Sequence, residues 1–334
     1  MGLSSLRSSD QRPVLAITSG DPNGIGPEVA LKALADPAVQ VRIHPVLVGS
    51  VAVWDWWAKE LGLVDVMRDF EMREANGSLP PTVEPGRITA EGGRAAMHAV
   101  EAAADGCLAG TYNGMVTAPI SKEAIRLADY AFPGHTEFLA ARTGAERVVM
   151  LLVSGDLRVG LVTIHVPISA VPGLITGERI IETLTTVNAA LRRDFGIAEP
   201  RIAVLGLNPH AGDGGVIGRE DMEVVVPALE AATARGFSVA GPFAADGFFG
   251  QRADRQFDAV VAMYHDQGLA PFKALAMGAG VNVTGGLPIV RTSPDHGTAF
   301  AIAGQGLARA HSMRAAILLA AEIAERRMQE AEVS

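Results

Sequence analysis

Short apolar runs alternate with amphipathic stretches for most of the chain. Runs of four to seven apolar residues predict strands at 13–18, 45–49, 112–117, 147–153, 158–164, 201–207 and 257–264. Apolar positions recurring every three to four residues predict helices at 27–35, 91–107, 121–128, 136–143, 176–194, 220–235 and 307–330. This alternation predicts an α/β fold with a largely parallel sheet. No repeat of fixed period interrupts it. Residues 75–93, rich in Pro and Gly, read as a loop. The cluster VWDWW holds all three tryptophans and reads as a helix packed on the body of the protein or on a partner subunit.

Composition narrows the partners. The 334 residues carry 28 Lys plus Arg against 37 Asp plus Glu, a formal charge of −9. That balance argues against nucleic acid or an anionic membrane as partner, so an anionic substrate has to be met by local cations. Cys107 is the only cysteine, which leaves no intrachain disulfide and no Cys-type zinc site. The opening MGLSSLRSSDQRP lacks the apolar segment of a signal peptide, and residues 1–12 read as a flexible polar tail. No apolar window is long enough to span a bilayer, and a cytoplasmic protein is expected.

Chemistry concentrates after the predicted strands. The first runs into TSGDPNGIGPE, residues 18–28, a Gly-rich turn that fits neither the Walker pattern nor the dinucleotide fingerprint, since Val29 stands where a third Gly belongs. Three of the eight histidines follow strands: His165 after RVGLVTI, His210 after RIAVLGLNP and His265 after FDAVVAMY. Carboxyl ends of strands line the ligand crevice of open α/β sheets. Three neutral imidazoles there suit a divalent metal with positions left open for substrate; the plain alternative is three strand-end histidines, each satisfied by a backbone carbonyl. Ser121 reads as a helix N-cap. His135 and Thr136 open a predicted helix, where they cap it or hold a phosphate. Residues 265–298 bring His265, Asp266, Lys273, Asn282, Arg291, Asp295 and His296 among apolar neighbours, as in a cleft built for phosphate or carboxylate.

Six stretches, TSGDPNGIGPE, TAPISKEA, GHTEFLA, LNPHAGDGGVIGRE, AMYHDQGLAPFK and GLPIVRTSPDHGTA, resemble in order the motifs of the 4-hydroxythreonine-4-phosphate dehydrogenases of pyridoxal 5′-phosphate biosynthesis. The resemblance runs from about residue 13 to residue 310. It implies the two-domain α/β fold of the isocitrate and isopropylmalate dehydrogenases, with the active site in the interdomain cleft at a homodimer interface. The domains expected are 13–130 plus 285–334, and 131–284, the latter carrying the metal ligands and the dimer interface. It also implies a divalent metal (zinc, magnesium or cobalt) on His165, His210 and His265, drawn from both subunits. Substrate contacts fall on His135, Thr136, Lys273, Asn282 and Arg291. HGTAFAIAGQG is similar to the adenosine-binding loop of the related dehydrogenases, which assigns cofactor contacts to His296, Gly297, Thr298 and Gly304. Ala301 stands where that pattern has an acid, leaving NAD and NADP both open.

The reaction implied is oxidation of the C3 alcohol of 4-phosphooxy-L-threonine by the nicotinamide, then loss of CO₂ to give 3-amino-2-oxopropyl phosphate. Lys273, Asp246 or a water is the candidate general base. Relatives acting on 4-phospho-D-threonate, 4-phospho-D-erythronate or a cis-dihydrodiol would share these motifs. A metal-dependent hydrolase and a non-catalytic binding module are the readings from other classes.

Overall fold

A computed structural model describes residues 12–75, 81–132 and 134–333. Except for Arg12, the tail expected at residues 1–12 lies outside the described residues, as do residues 76–80 of the loop expected at 75–93. The chain divides into two compact units, one running to Glu146 and resuming at Leu287, the other Arg147–Gly286. Residues 131–146, assigned from sequence to the second domain, fall with the first. Their helix His135–Thr143 is tied to the helix Ala90–Leu108 by Arg142, whose guanidinium donates twice to Asp105 at 2.8 and 2.6 Å.

In the first unit β1 (Val14–Thr18), β2 (His44–Gly49), β3 (Glu71–Glu74), β4 (Gly114–Val116) and, late in the chain, β11 (Arg291–Pro294) lie in the order β3-β2-β1-β4-β11, all parallel. Leu15, Ala16 and Ile17 of β1 are wholly buried, as strands of a sheet covered on both faces must be. The aromatic cluster forms the helix Val51–Leu61, with Trp54 and Trp57 fully buried and the Trp57 indole N–H donating to Pro22 O at 2.9 Å. That helix ends at Gly62, whose φ of 66° is the left-handed C-terminal stop that glycine takes without strain.

The second unit holds β5 (Val149–Ser154), β6 (Leu157–Leu161), β7 (Arg201–Leu205), β8 (Ser238–Phe243), β9 (Ala259–Ala262) and β10 (Val281–Gly285) in the order β10-β5-β6-β9-β7-β8. Strands β6, β9, β7 and β8 run parallel; β5 is antiparallel to both its neighbours. The helix Gly177–Phe195 covers one face, burying Ile180, Leu184, Val187 and Leu191 against Val204 and Val261.

Four strands (β3, β8, β10, β11) and the helix His265–Ala276 were not anticipated from the hydrophobic pattern. The helix carries Gly268 and Pro271, both poor helix formers, and an early-turn contact explains the glycine below. The helix expected over 220–235 opens instead with a π-turn, Asp221–Val225, before Val226–Ala234; Pro227 has no N–H to return to the preceding turn. Among the described residues no helix is long and apolar enough to cross a membrane.

Candidate active site

The three strands that precede the predicted metal histidines are neighbours. Register pairs Leu161 of β6 with Ala262 of β9, and Val261 of β9 with Val204 of β7, all parallel. His165, His265 and His210 therefore leave adjacent strands at the same, carboxyl, edge of the sheet, three to five residues past the last paired positions. Asp246 follows β8, the next strand in the row, and is exposed in the helix Ala245–Gly250. The rings of His165 and His265 stand 5.7 Å apart between centroids. Thr163 holds their two segments side by side, its N–H and hydroxyl both donating to Met263 O at 3.1 and 2.7 Å.

Each residue of the motif His265-Asp266-Gln267-Gly268 has a task. His265 starts the helix His265–Ala276, with Nδ1 2.7 Å from Asp266 Oδ1; in the tautomer protonated at Nδ1, the ring donates to the carboxylate and leaves Nε2 as a metal donor. Gln267 accepts from Met263 N at 2.7 Å and donates to Gly206 O, so one side chain clamps the end of β9 to the end of β7. A Cβ on Gly268 would lie 2.7 Å from Leu161 Cδ2 and 3.0 Å from Val159 Cγ1, so the glycine lets the helix seat on β6 without displacing those side chains.

His210 sits in a run of left-handed backbone, with φ of 53° at His210, 51° at Ala211, 81° at Gly212, 44° at Asp213 and 63° at Gly214. Such conformations are unfavourable for non-glycine residues and persist where the surroundings impose them. Here the buried Asp221 does so. Its carboxylate accepts from Leu207 N at 2.6 Å, Asn208 N at 3.0 Å and Asn208 Nδ2 at 2.9 Å, pinning the turn that carries His210. Neither Gln267 nor Asp221 was singled out from the sequence. Nothing in its spacing marks Asp221, because its partners are backbone groups 13 and 14 residues away.

Within one chain the gathering is incomplete: the described residues form no group of three or more His, Cys, Asp or Glu side chains at metal-ligating geometry. The donors nonetheless suit a divalent cation in kind, with two imidazoles adjacent, one of them oriented by a carboxylate, and a third on the neighbouring strand end. Lys273 is exposed in the third turn of the helix that His265 begins. Asn282 lies within β10, paired with Leu152 and through it level with Val159, below the edge where the histidines stand; its Oδ1 is buried without a hydrogen-bond partner.

In the first unit a different set includes Arg291, at the amino end of β11 and paired with Met115, and Thr117, just past the carboxyl end of β4. Arg291 is 2% exposed, and its Nε and Nη2 donate to the buried Thr117 hydroxyl at 3.0 and 2.7 Å. Burial lowers its pKa to about 10, with Glu137 opposing, so it remains a cation at neutral pH. His135 begins the helix His135–Thr143, which has no side-chain cap. Burial first, then the Arg291 charge, hold its imidazole well below the usual histidine range, and its Nε2 is buried without a partner. A neutral histidine, Thr136 and a buried arginine at an uncapped helix N-terminus are complementary to an anion. Ser121 is the cap expected of it, accepting from Ala124 N at 3.1 Å.

His296 has Nδ1 3.1 Å from Gly297 O and Nε2 buried without a partner. The loop it opens packs on the Gly-rich turn after β1: Ile25 N donates to Thr298 O at 2.9 Å, and a Cβ on Gly24 would lie 3.0 Å from Thr298. Gly304 similarly abuts Pro85, 2.8 Å from a would-be Cβ. At Gly24, therefore, the glycine serves loop-to-loop packing.

A family model described as pyridoxal phosphate biosynthetic protein PdxA matches residues 40–320. The chain belongs to the PdxA family. PdxA relatives include proteins named 4-hydroxythreonine-4-phosphate dehydrogenase from Prosthecochloris aestuarii, 47% identical over 94% of this chain and 98% of that one, and from Bacteroides thetaiotaomicron, 44% identical over 95% and 90%. A crystal structure of the Klebsiella pneumoniae 4-hydroxythreonine-4-phosphate dehydrogenase superposes with a TM-score of 0.84 at 38% identity, covering 95% of this chain and all of that one. A terephthalate 1,2-cis-dihydrodiol dehydrogenase from Burkholderia xenovorans LB400 is also similar, with a TM-score of 0.64 and 32% identity over 93% and 98%. PdxA membership makes this chain an enzyme of a dehydrogenase family.

Proposed function

We propose that the protein oxidises 4-phosphooxy-L-threonine at C3 with NAD or NADP, and that the β-keto acid so formed loses CO₂ to give 3-amino-2-oxopropyl phosphate. The observation that carries this reading is the set of curated relatives with that dehydrogenase name, 41–47% identical over 92–95% of this chain. The dihydrodiol dehydrogenase, whose named substrate has no phosphate, is more distant in both sequence and shape.

Arg291, His135 and Thr136 hold the phosphate. Arg291 supplies the charge and stays protonated. His135, neutral, donates one N–H without adding a second buried cation. Lys273 and Asn282 serve the rest of the substrate. Asp246 is the general base, taking the proton of the C3 hydroxyl; it stands in the same strand-end row as the histidines, whereas Lys273 lies eight residues along a helix from His265. His165, His210 and His265 would hold a divalent ion, zinc, cobalt or magnesium. Such an ion would supply positive charge beside the C3 oxygen, which is negative once its proton has been taken, before hydride leaves, and again as an enolate when CO₂ is lost. The nicotinamide accepts the hydride when bound, and His296, Gly297, Thr298 and Gly304 line its binding loop. With Ala301 in that loop, no carboxylate there rejects a 2′-phosphate.

The protein works as a cytoplasmic homodimer. Val166 and Ile168 beside His165, and Val216, Ile217 and Met222 beyond His210, are 38%, 67%, 81%, 39% and 46% exposed, an apolar surface that a second copy would cover while completing the metal site.

The test is nicotinamide reduction followed optically with 4-phosphooxy-L-threonine, 4-phospho-D-threonate, 4-phospho-D-erythronate and a cis-dihydrodiol, each with zinc, cobalt or magnesium and with either cofactor. The expected result is fastest turnover of the first, with one CO₂ released per nicotinamide reduced. Turnover confined to another substrate would transfer the assignment to it. Substrate loss without nicotinamide reduction would mean a hydrolase.

A further inference from the structure

Asp21, in the Gly-rich turn after β1, has no place in the chemistry above, and the fold gives it no structural task that uses its charge. It is completely buried. Its Oδ1 accepts from Asn23 N at 3.0 Å, while Oδ2 is buried with no hydrogen-bond partner. Leaving a carboxylate oxygen dry and unbonded is unfavourable, and burial raises the Asp21 pKa from the ordinary 3.8 to about 6.

The obvious structural role is already taken. The carboxyl lies against the first turn of the helix Ala90–Leu108, where a Cβ on Gly92 would be 3.1 Å from Oδ1. Thr89 caps that turn instead: Gly92 N donates to its hydroxyl at 3.0 Å and Gly93 N to its carbonyl at 3.1 Å. The backbone around Asp21 is fixed. Its N–H donates to Pro119 O at 2.9 Å, and Gly20, at φ 65°, packs against the same carbonyl so closely that no side chain fits. The fold thus holds a carboxyl rigidly at the carboxyl end of β1, beside β4, whose end carries Thr117 and its Arg291 bonds.

We propose that Asp21 is a ligand-contacting residue whose free oxygen receives a positively charged nitrogen group of a bound ligand. Two ligands of the proposed reaction carry one: the substrate's ammonium and the oxidised, cationic nicotinamide ring. The proposal rests on that reaction. The bond from Ile25 N to Thr298 O joins the Asp21 turn to the loop read as cofactor-binding, and the two ligands are separated by the test.

The test uses the full-length protein and the isosteric Asp21→Asn. Binding of NAD⁺ and NADH is measured as one pair. O-phospho-L-homoserine, which lacks the C3 hydroxyl, and 4-phosphooxybutanoate, which lacks also the ammonium, form the second. Ratios within a pair are insensitive to partial unfolding. If the ring is the partner, preference for NAD⁺ over NADH falls roughly ten-fold in the variant. If the ammonium is the partner, the second ratio falls instead. In either case the variant's Tm at pH 8 is at or above that of the wild type. Both ratios unchanged would overturn the proposal, and so would a lower Tm accompanied by equal weakening of all four ligands. Failure of the wild-type protein itself to bind NAD⁺ or NADH would instead refute the dehydrogenase reading.

Discussion

The two units present their strand ends in opposite ways. In the second, the residues read as functional are exposed or half-exposed histidines, and what identifies the site is the hydrogen bonding behind them: Asp266 on His265, Gln267 across two strand ends, Asp221 under the His210 turn. In the first, they are identified by buried atoms without partners: His135 Nε2, whose ring feels the buried Arg291, and, in the loops after β11 and β1, His296 Nε2 and the acceptor Asp21 Oδ2. A cation site has to offer lone pairs to solvent side and stiffen them from beneath. An anion site gains most from dry donors. On the proposed reading, the contrast assigns metal binding to the second unit and phosphate binding to the first.

Removing the support beneath the exposed histidines gives the largest effect. Asp221→Ala leaves the backbone N–H groups of Leu207 and Asn208 unsatisfied and frees a turn of left-handed residues, so a stability loss of about 2 to 4 kcal/mol by chemical denaturation is expected, together with loss of bound metal. Unchanged metal affinity in that variant would show that the His210 turn needs no such support.

The buried groups of the first unit are read by pH. Asp21 has a raised folded-state pKa, so it costs nothing below 3.8, and its penalty grows as pH rises to about 6 and is complete above that. Asp21→Asn should therefore be the more stable protein at pH 8, by at most about 3 kcal/mol, with the advantage gone near pH 4. His135 acts in the opposite sense. Its folded-state pKa is lowered, so its unfolded form takes up protons first and the wild type loses stability as pH falls below the ordinary histidine range. Equal pH profiles for wild type and Asp21→Asn would remove the charge penalty from the account.

The clamp gives a smaller effect. Gln267→Leu keeps the volume but releases Met263 N and Gly206 O, and metal affinity or kcat/KM should drop about 10- to 100-fold with the fold intact by circular dichroism.

The sequence made much of this legible. Continuous apolar runs marked the buried parallel strands, and three histidines following three such runs marked the edge. Where the reading failed, local signals pointed the wrong way. Gly268 and Pro271 mask the helix His265–Ala276, because the glycine answers to Leu161 and Val159 of a strand about a hundred residues earlier. The placement of residues 131–146 likewise turned on the Arg142 to Asp105 pair, which no periodicity reports. Asp221 and Asp21 were beyond reach for one reason: a carboxylate's role depends on which N–H groups the fold brings to it, or withholds.

The division of labour is tested most directly by titrating His265→Ala and Arg291→Gln with Zn²⁺ and with inorganic phosphate by calorimetry. The expected result is crossed: His265→Ala loses zinc and binds phosphate as the wild type does, while Arg291→Gln keeps zinc and loses phosphate. Wild-type zinc binding by His265→Ala, or loss of both ligands by either folded variant, would contradict it.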